Sequence, residues 1–433
     1  MPDQPTWYFD PADHCFIQSE VPGAVALPAL DGSLDTGDTA LAWAVDDFGR
    51  TTALPPPLGV LRPGSVDDIS TVLRFAGEHG IAVVARAEGH STSGQAQAPA
   101  GIVLDMRGLN AVHLVTADRI VVEAGARWSQ VLETTLPLGA APPVLTDYLE
   151  LSVGGTLSVG GISGATHQHG LQTDNVLELD AITHDGVHVT CSPDTNPDLF
   201  EALRAGRGRH GIIVRATLRL VPAHTHARWY RLRYHDLDTF LADQRTLMAE
   251  GRFHHLEGQA TPEHDGTWTY RIDAATYFTP PVTPVREQLL AGLADQRDAL
   301  EINDFTYHGF QNRLAPGVEL LRTLGPWQGP HPWLNLFLPD HTARQVLAET
   351  FSTLTPADLG DDGVILVYPV PRSRIRTPQV RLPEAPIVFL FAILRSAPPD
   401  DATALNARVQ ANHRVQHRAT AAGGTVYLGA IET

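Results

Sequence analysis

The sequence predicts an α+β protein of two domains, and three observations carry that reading. Its 433 residues correspond to about two domains at roughly 100–200 residues each. Between about residues 57 and 222, many short strand patterns alternate with few helices, which argues against a doubly wound sheet. After about residue 224 the texture changes to alternating runs such as YRLRYHDL and TWTYRIDAATYF, as in an antiparallel sheet. The chain therefore divides into three parts: an acidic, Gly/Pro-interrupted arm with little regular structure at 1–55, a first domain at 56–222, and a second at 223–433.

Taken in order, LGVLRP is a short strand. Ser65 then caps a helix VDDISTVLRFAGEHG, with Asp67 and Asp68 in the first turn, where the helix dipole favours anions, and Gly80 as its stop. IAVVARAEG is a buried strand leading into the loop HSTSGQAQAPAG; GIVLDM and RIVVEAGA are further strands, followed by a helix around 127–136. The Asp185-Gly186 pair sits between two apolar runs and predicts a hairpin. A short helix DLFEALRAG leads into GIIVRATLRLVPA, the strand that closes the first domain. In the second domain LDTFLADQRTLMAEG and VTPVREQLLAGLADQ read as amphipathic helices, with strands at 333–338, 363–369 and 386–394.

Composition narrows the chemistry. The formal net charge is −18, so the surface repels phosphate backbones and nucleic acid is not an expected partner. All 31 basic residues are Arg. A lysine-free chain cannot use a P-loop lysine or form a Schiff base. Cys15 and Cys191 belong to no CxxC pair, so neither a disulfide framework nor a cysteine zinc site is expected. The first residues carry no basic, apolar leader, and no stretch reaches the roughly 18–20 apolar residues of a membrane span. The expectation is a soluble, cytoplasmic protein without a membrane partner.

Three glycine patterns stand out. A literal GxGxxG occurs at Gly206, Gly208 and Gly211, but with a helix before it and a strand after it. That order is the reverse of a dinucleotide fingerprint, so a tight helix-to-strand turn is the better reading. The second is AEGHSTSGQ at 87–95, a Gly-His-Ser turn directly after a buried strand. The third, TDYLELSVGGTLSVGGISGATHQHG at 146–170, packs Gly154, Gly155, Gly160, Gly161 and Gly164 among Ser and Thr. Small residues let backbone N–H groups form an anion-binding concavity without a lysine. Two such loops plus one histidine favour a bulky phosphorylated cofactor. His167 and His169 have HxH spacing but no third ligand, so a metal site is not expected.

The run from about 57 to 222 resembles the FAD-binding domain of the vanillyl-alcohol oxidase / p-cresol methylhydroxylase (PCMH) superfamily, and within it most closely the cytokinin dehydrogenases. GHSTSGQA, TDYLELSVGGTLSVGGISG, NVLELDAIT and GIIVRATLRLV carry the likeness, and PHPWLNLFLP at 330–339 is similar to that family's substrate-domain signature. The resemblance implies a two-domain flavoprotein of the PCMH-type fold with an antiparallel-sheet substrate domain. It implies FAD held covalently, through the flavin 8α-methyl, by His90. Ala85, Gly89, Ser91, Gln95, Asp147, Ser152, Ser158, Ile162 and Ile213 match flavin contacts, and Asp147 also matches the active-site aspartate. Glu319 is the nearest match to the family's second carboxylate by its spacing from Trp333.

Some positions depart from the pattern. Tyr148 stands where bicovalent relatives have a cysteine, so one link is expected; Ala87 replaces a usual Gly and Leu390 a common Tyr. Relatives continue for several tens of residues beyond TVYLGAIET, which implies a shortened C-terminal tail. The implied reaction is oxidation of an N6-isoprenoid adenine at the carbon next to its secondary amine, with oxygen or a quinone as electron acceptor. Two alternatives stay open: a flavin oxidase of an alcohol, sugar or natural-product amine on the same scaffold, and a non-catalytic ligand-binding relic.

Overall fold

A computed structural model describes residues 6–360 and 363–428. The chain divides into two compact units, the first formed by residues 1–131, 150–159 and 176–219, the second by 132–149, 160–175 and 220–433.

In the first unit a five-stranded antiparallel sheet runs in the order His188–Cys191, Val176–Ile182, Ile212–Arg219, Arg119–Glu123, Val112–Val115. The predicted Asp185-Gly186 hairpin joins the first two of these, with Gly186 at φ +75. A second, four-stranded sheet has a parallel centre: Gly59–Arg62 and Val83–Arg86 both pair parallel to Ile102–Asp105. The crossover between them is the predicted helix, Val66–His79, whose face of Ile69, Val72, Leu73 and Ala76 enters the core. Gly80 ends it in the left-handed conformation, as expected.

Ser65 occupies the N-cap position, yet its side chain makes no capping bond. Asp68 is the organiser instead. Its Oδ1 accepts from Asp31 N at 2.8 Å, and its Oδ2 from Gly32 N at 2.7 Å and Gly64 N at 2.8 Å. A first-turn carboxylate thus serves its own helix dipole and pins the N-terminal segment.

That segment is more ordered than its Gly/Pro interruptions predict. Tyr8–Asp10, Cys15–Ile17 and Val25–Ala26 form a small antiparallel sheet, Ser33–Asp35 joins the four-stranded sheet, and Asp38–Ala44 is helical. Phe9, Phe16, Leu27 and Leu34 are buried in the first unit's core, and that burial supplies the order that local propensity does not.

The second unit is built on one eight-stranded sheet, in the order Glu301–Thr306, His226–Tyr234, Trp268–Phe278, His255–Pro262, Val364–Pro371, Ile387–Leu394, Leu334–Pro339, Thr425–Leu428. Every pairing in it is antiparallel. The run IVFLFAIL is buried through six consecutive residues, which explains why it shows no alternation. Helix Leu237–Glu250 forms as predicted, capped by Asp236, whose side chain accepts from Thr239 N. The second predicted helix does not: only Arg286–Leu289 is helical. Pro284 precedes it and Gly292 follows at φ +73, so the amphipathic pattern is too interrupted to propagate.

Candidate functional site

Two groups of site residues can be built up from the chain, one in each unit. In the first, the Val83–Arg86 strand delivers the loop that starts at Gly89. Gly89 lies at φ +66, and a Cβ there would come within 2.6 Å of the Arg86 guanidinium, so only glycine fits. His90 follows, half-buried, with its ring stacked on Phe48 at 4.3 Å and 14°.

The other side chains of this group already have local duties, and these decide what each could offer a ligand. Ser91 Oγ donates to Asp47 and accepts from Ala96 N, so it is fully used in holding the loop. Gln95 Oε1 accepts from Ser93 N, and its amide N–H groups take no part in that bond. Ser152 caps the Val153–Leu157 helix by accepting from Gly155 N, and its O–H remains to donate. Ser158 Oγ donates to Gly154 O and so presents only lone pairs, a poor match to phosphate. Ala85 is exposed on its strand and Ile213 is buried on Ile212–Arg219. Gly206, Gly208 and Gly211 form the expected turn between Pro197–Leu203 and Ile212–Arg219.

This donor set fits a flavin dinucleotide. It offers one imidazole, one free hydroxyl donor, one side-chain amide and glycine backbone that can approach a pyrophosphate closely, with no competing cation on a lysine.

In the second unit the organising residue is Arg313, just past the short helix Tyr307–Gln311, which Thr306 caps through Gly309 N. Its guanidinium lies over the Phe310 ring at 4.7 Å. Its Nη2 donates to Asp147 Oδ1 at the shortest separation, to His255 Nε2 at 3.2 Å, and reaches Glu257 Oε2 only at 3.5 Å. Since an arginine can only donate, His255 Nε2 must be the bare nitrogen, and the ring is neutral with its proton on Nδ1. The 3.4 Å approach of Glu257 to that same nitrogen is therefore no ion pair. Burial first, and then the Arg313 charge, push the His255 pKa down to about 3.

Exposure separates the two carboxyls: the Asp147 side chain is 24% exposed, that of Glu257 4%. Burial raises both pKa values above the ordinary carboxylate range, against the pull of Arg313. Glu257 has the weaker hold on Arg313 and faces Asp273 directly across the neighbouring strand. Its Oε1 is buried with no hydrogen-bond partner. An anionic oxygen there would be costly, and the two raised carboxyls titrate as a pair around the one guanidinium. Arg313 is itself held charged; burial opposes this, but the two carboxyls outweigh it. Asp147, His255 and Glu257 bring ligand atoms within 4.8 Å of one another. The Arg313 guanidinium already supplies the positive charge on which they converge.

The wall behind this cluster is aromatic. Phe310 meets the His255 ring edge-on at 5.2 Å, and Tyr277 receives a hydrogen bond from Gln311 at 3.1 Å. Leu390 is buried, and Tyr368 stands directly across from it on the next strand. Burial raises the Tyr368 pKa, and the Glu257 and Asp147 carboxyls add to the rise.

Glu319 lies elsewhere. It sits on helix Ala315–Leu324 with a 73% exposed side chain and a long 4.0 Å contact to Arg322. The second carboxylate that the fold brings to Asp147 is Glu257. Sequence offered a signal for it: His255 and Glu257 are two apart on one strand, hence on one face. Arg313 and Asp47 carried none, since both sit in irregular segments. The two ring nitrogens of His167 face the carbonyls of Gly164 and Phe253, at 2.7 and 3.0 Å, and its single N–H donates to one of them, so HxH spacing here serves packing. Ile162 belongs to the second unit and is half-buried.

Comparison with known proteins agrees with this chemistry. Residues 57–192 match a family model described as an FAD binding domain, and residues 259–432 one described as cytokinin dehydrogenase 1, FAD and cytokinin binding. Cytokinin dehydrogenase 9 of Oryza sativa subsp. japonica is 36% identical over 419 residues, covering 88% of this chain and 79% of that one. The chain belongs to the cytokinin dehydrogenase family. Cytokinin dehydrogenase 2 of Arabidopsis thaliana is 33% identical, over 87% of this chain and 82% of that one. The uncharacterized oxidoreductase ORF5 in the fasciation locus of Rhodococcoides fascians is 41% identical, over 92% and 90%. Among solved structures, 6-hydroxy-D-nicotine oxidase from Arthrobacter nicotinovorans superposes with a TM-score of 0.70 at 19% identity, covering 94% of this chain and 90% of that one, a likeness of fold. This cytokinin dehydrogenase family member is thus an FAD-dependent oxidoreductase of the PCMH-type fold. Among the described residues no helix is long and apolar enough to cross a membrane.

Proposed function

We propose that the protein oxidises N6-isoprenoid adenines, cleaving them to adenine and an aldehyde, with FAD joined covalently to His90. The observation that carries this reading is the Asp147–Arg313–Glu257 cluster: a partly exposed carboxylate bonded to one buried guanidinium and backed by a second, buried carboxyl. Oxidising a secondary amine at the adjacent carbon requires a hydride acceptor and a group to hold or take the N–H proton. The flavin, when bound, supplies the acceptor. Asp147 accepts the amine's hydrogen bond and then its proton, and Arg313 fixes the carboxylate oxygen that faces the cluster, leaving the other for substrate. The proton that Asp147 gains leaves to solvent from its partly exposed side chain, so the pair returns to its starting charge after each turnover. Water then splits the imine.

The test is product analysis. Incubation with N6-isopentenyladenine and an electron acceptor should give adenine and a prenyl aldehyde in equal amounts. Turnover of alcohols or sugars, with no adenine released, would move the substrate class to the alternative oxidase reading.

A further inference from the structure

The segment Asp46–Arg50, within the N-terminal arm, runs alongside the His90 loop bond by bond. Phe48 N donates to Gly89 O at 2.8 Å and Gly49 N to Ser91 O at 2.9 Å. Thr51 Oγ1 donates to Thr92 O at 2.7 Å. Gly49 has no room for a side chain, since a Cβ would meet the Thr92 backbone at 2.3 Å. Asp47, itself buried, accepts from Ser91 Oγ at 2.8 Å and Gly94 N at 2.7 Å through one oxygen and from Arg50 N at 3.1 Å through the other. Arg86, stacked over Trp43, donates to the Asp46 carbonyl and ties the segment to the strand before the loop. Upon this frame the Phe48 ring lies nearly parallel to the His90 imidazole.

We propose that Phe48 and Asp47 are positioning residues for attachment of the flavin to His90: Asp47 fixes the loop and Phe48 fixes the plane of the ring. The inference rests on the covalent reading of His90. The physical case is one of torsion. The second side-chain torsion of histidine is broad and roughly two-fold, so the loop backbone alone does not set the ring plane. A nitrogen lone pair lies in that plane, and it must point at the flavin 8α carbon for a bond to form. A stacked phenyl lies against one face and not against the ring edges, where both nitrogens are buried, and removes the rotation. Attachment forms one bond, His90 nitrogen to 8α carbon, and breaks one C–H bond whose proton leaves to solvent. The flavin is left two electrons reduced, and dioxygen removes that pair.

The experiment compares wild type, His90→Ala, Phe48→Ala, Phe48→Leu and Phe48→Tyr, each produced with excess FAD in air. Total flavin is read from absorbance, and covalent flavin from the fraction that stays with acid-precipitated protein at successive times. Phe48→Ala and Phe48→Leu should bind FAD but attach it about tenfold or more slowly, because a loosely aimed nucleophile loses effective concentration. Phe48→Tyr, which keeps a stacking face, should attach it as wild type does. Attachment in Phe48→Ala and Phe48→Leu at the wild-type rate overturns the inference while leaving the covalent reading intact. Loss of all FAD from both variants also overturns it, since the segment would then hold the fold and not aim the ring. A wild type that releases its flavin in acid, as His90→Ala should, overturns the covalent reading and this inference with it.

Discussion

Asp147 and Glu257 share one guanidinium, and the difference in their reach toward it sets their roles. Asp147→Asn should keep its flavin and lose about 10²–10⁴ in the rate of flavin reduction by substrate, the usual worth of a positioned acid or base. Arg313→Gln removes the guanidinium that favours the ionised form of Asp147. The reduction rate requires the ionised form and rises with pH through the Asp147 pKa. In Arg313→Gln that limb should therefore shift to higher pH, read from reduction rates across a pH series. The same change should lower stability by about 3–5 kcal/mol, because it strands buried carboxyls. Glu319→Gln, at an exposed site, should move stability by less than about 0.5 kcal/mol and leave the pH limb in place.

At the scale of elements, close approaches of backbone to side chain fix the second unit's cluster. A Cβ on Gly164 would fall 2.6 Å from the His255 ring. Gly164→Ala should therefore push His255 off Arg313 and cost about 1–3 kcal/mol by overpacking, measured as a lowered denaturant midpoint. Most elements were legible in the sequence because they are regular: the Val66–His79 helix starts after Ser65 and stops at Gly80 as its letters say, though Ser65 makes no capping bond, and the Asp185-Gly186 turn announces its hairpin. The Arg286–Leu289 stub was over-read, since amphipathic spacing does not show where Pro and Gly halt propagation. His90 and Asp147 were legible through resemblance. Their partners Asp47, Phe48 and Arg313 were not, because a loop's contacts are set by tertiary packing and leave no period in the sequence.

Over the whole molecule, buried titratable groups give a definite pH response. His167 and His255 are buried and neutral, with pKa values lowered to about 4 and about 3, burial being the first cause in each. Both have folded values below their unfolded value, so the unfolded chain binds the extra protons. Each then removes about 1.4 kcal/mol of stability per pH unit as the pH falls from about 6.5 toward its folded value. The Asp147–Glu257 pair works in the other sense: its folded values are raised, so its contribution is complete at low pH and is lost as pH rises through them. The urea midpoint should accordingly drop between about pH 7 and pH 5, and His167→Gln should flatten that drop. A midpoint unchanged over this range would contradict neutral, buried histidines.

The central claim is that Asp147 of this flavoprotein receives the proton of a secondary amine while the flavin takes the hydride. Its most direct measurement is anaerobic mixing of wild type and Asp147→Asn with N6-isopentenyladenine, following flavin absorbance. The account predicts that wild type bleaches, and that Asp147→Asn, equally loaded with flavin, bleaches at least about a hundredfold more slowly. A wild type that stays yellow with this donor but bleaches with a chemical reductant would contradict the assigned substrate, and an Asp147→Asn variant as fast as wild type would contradict the assigned base.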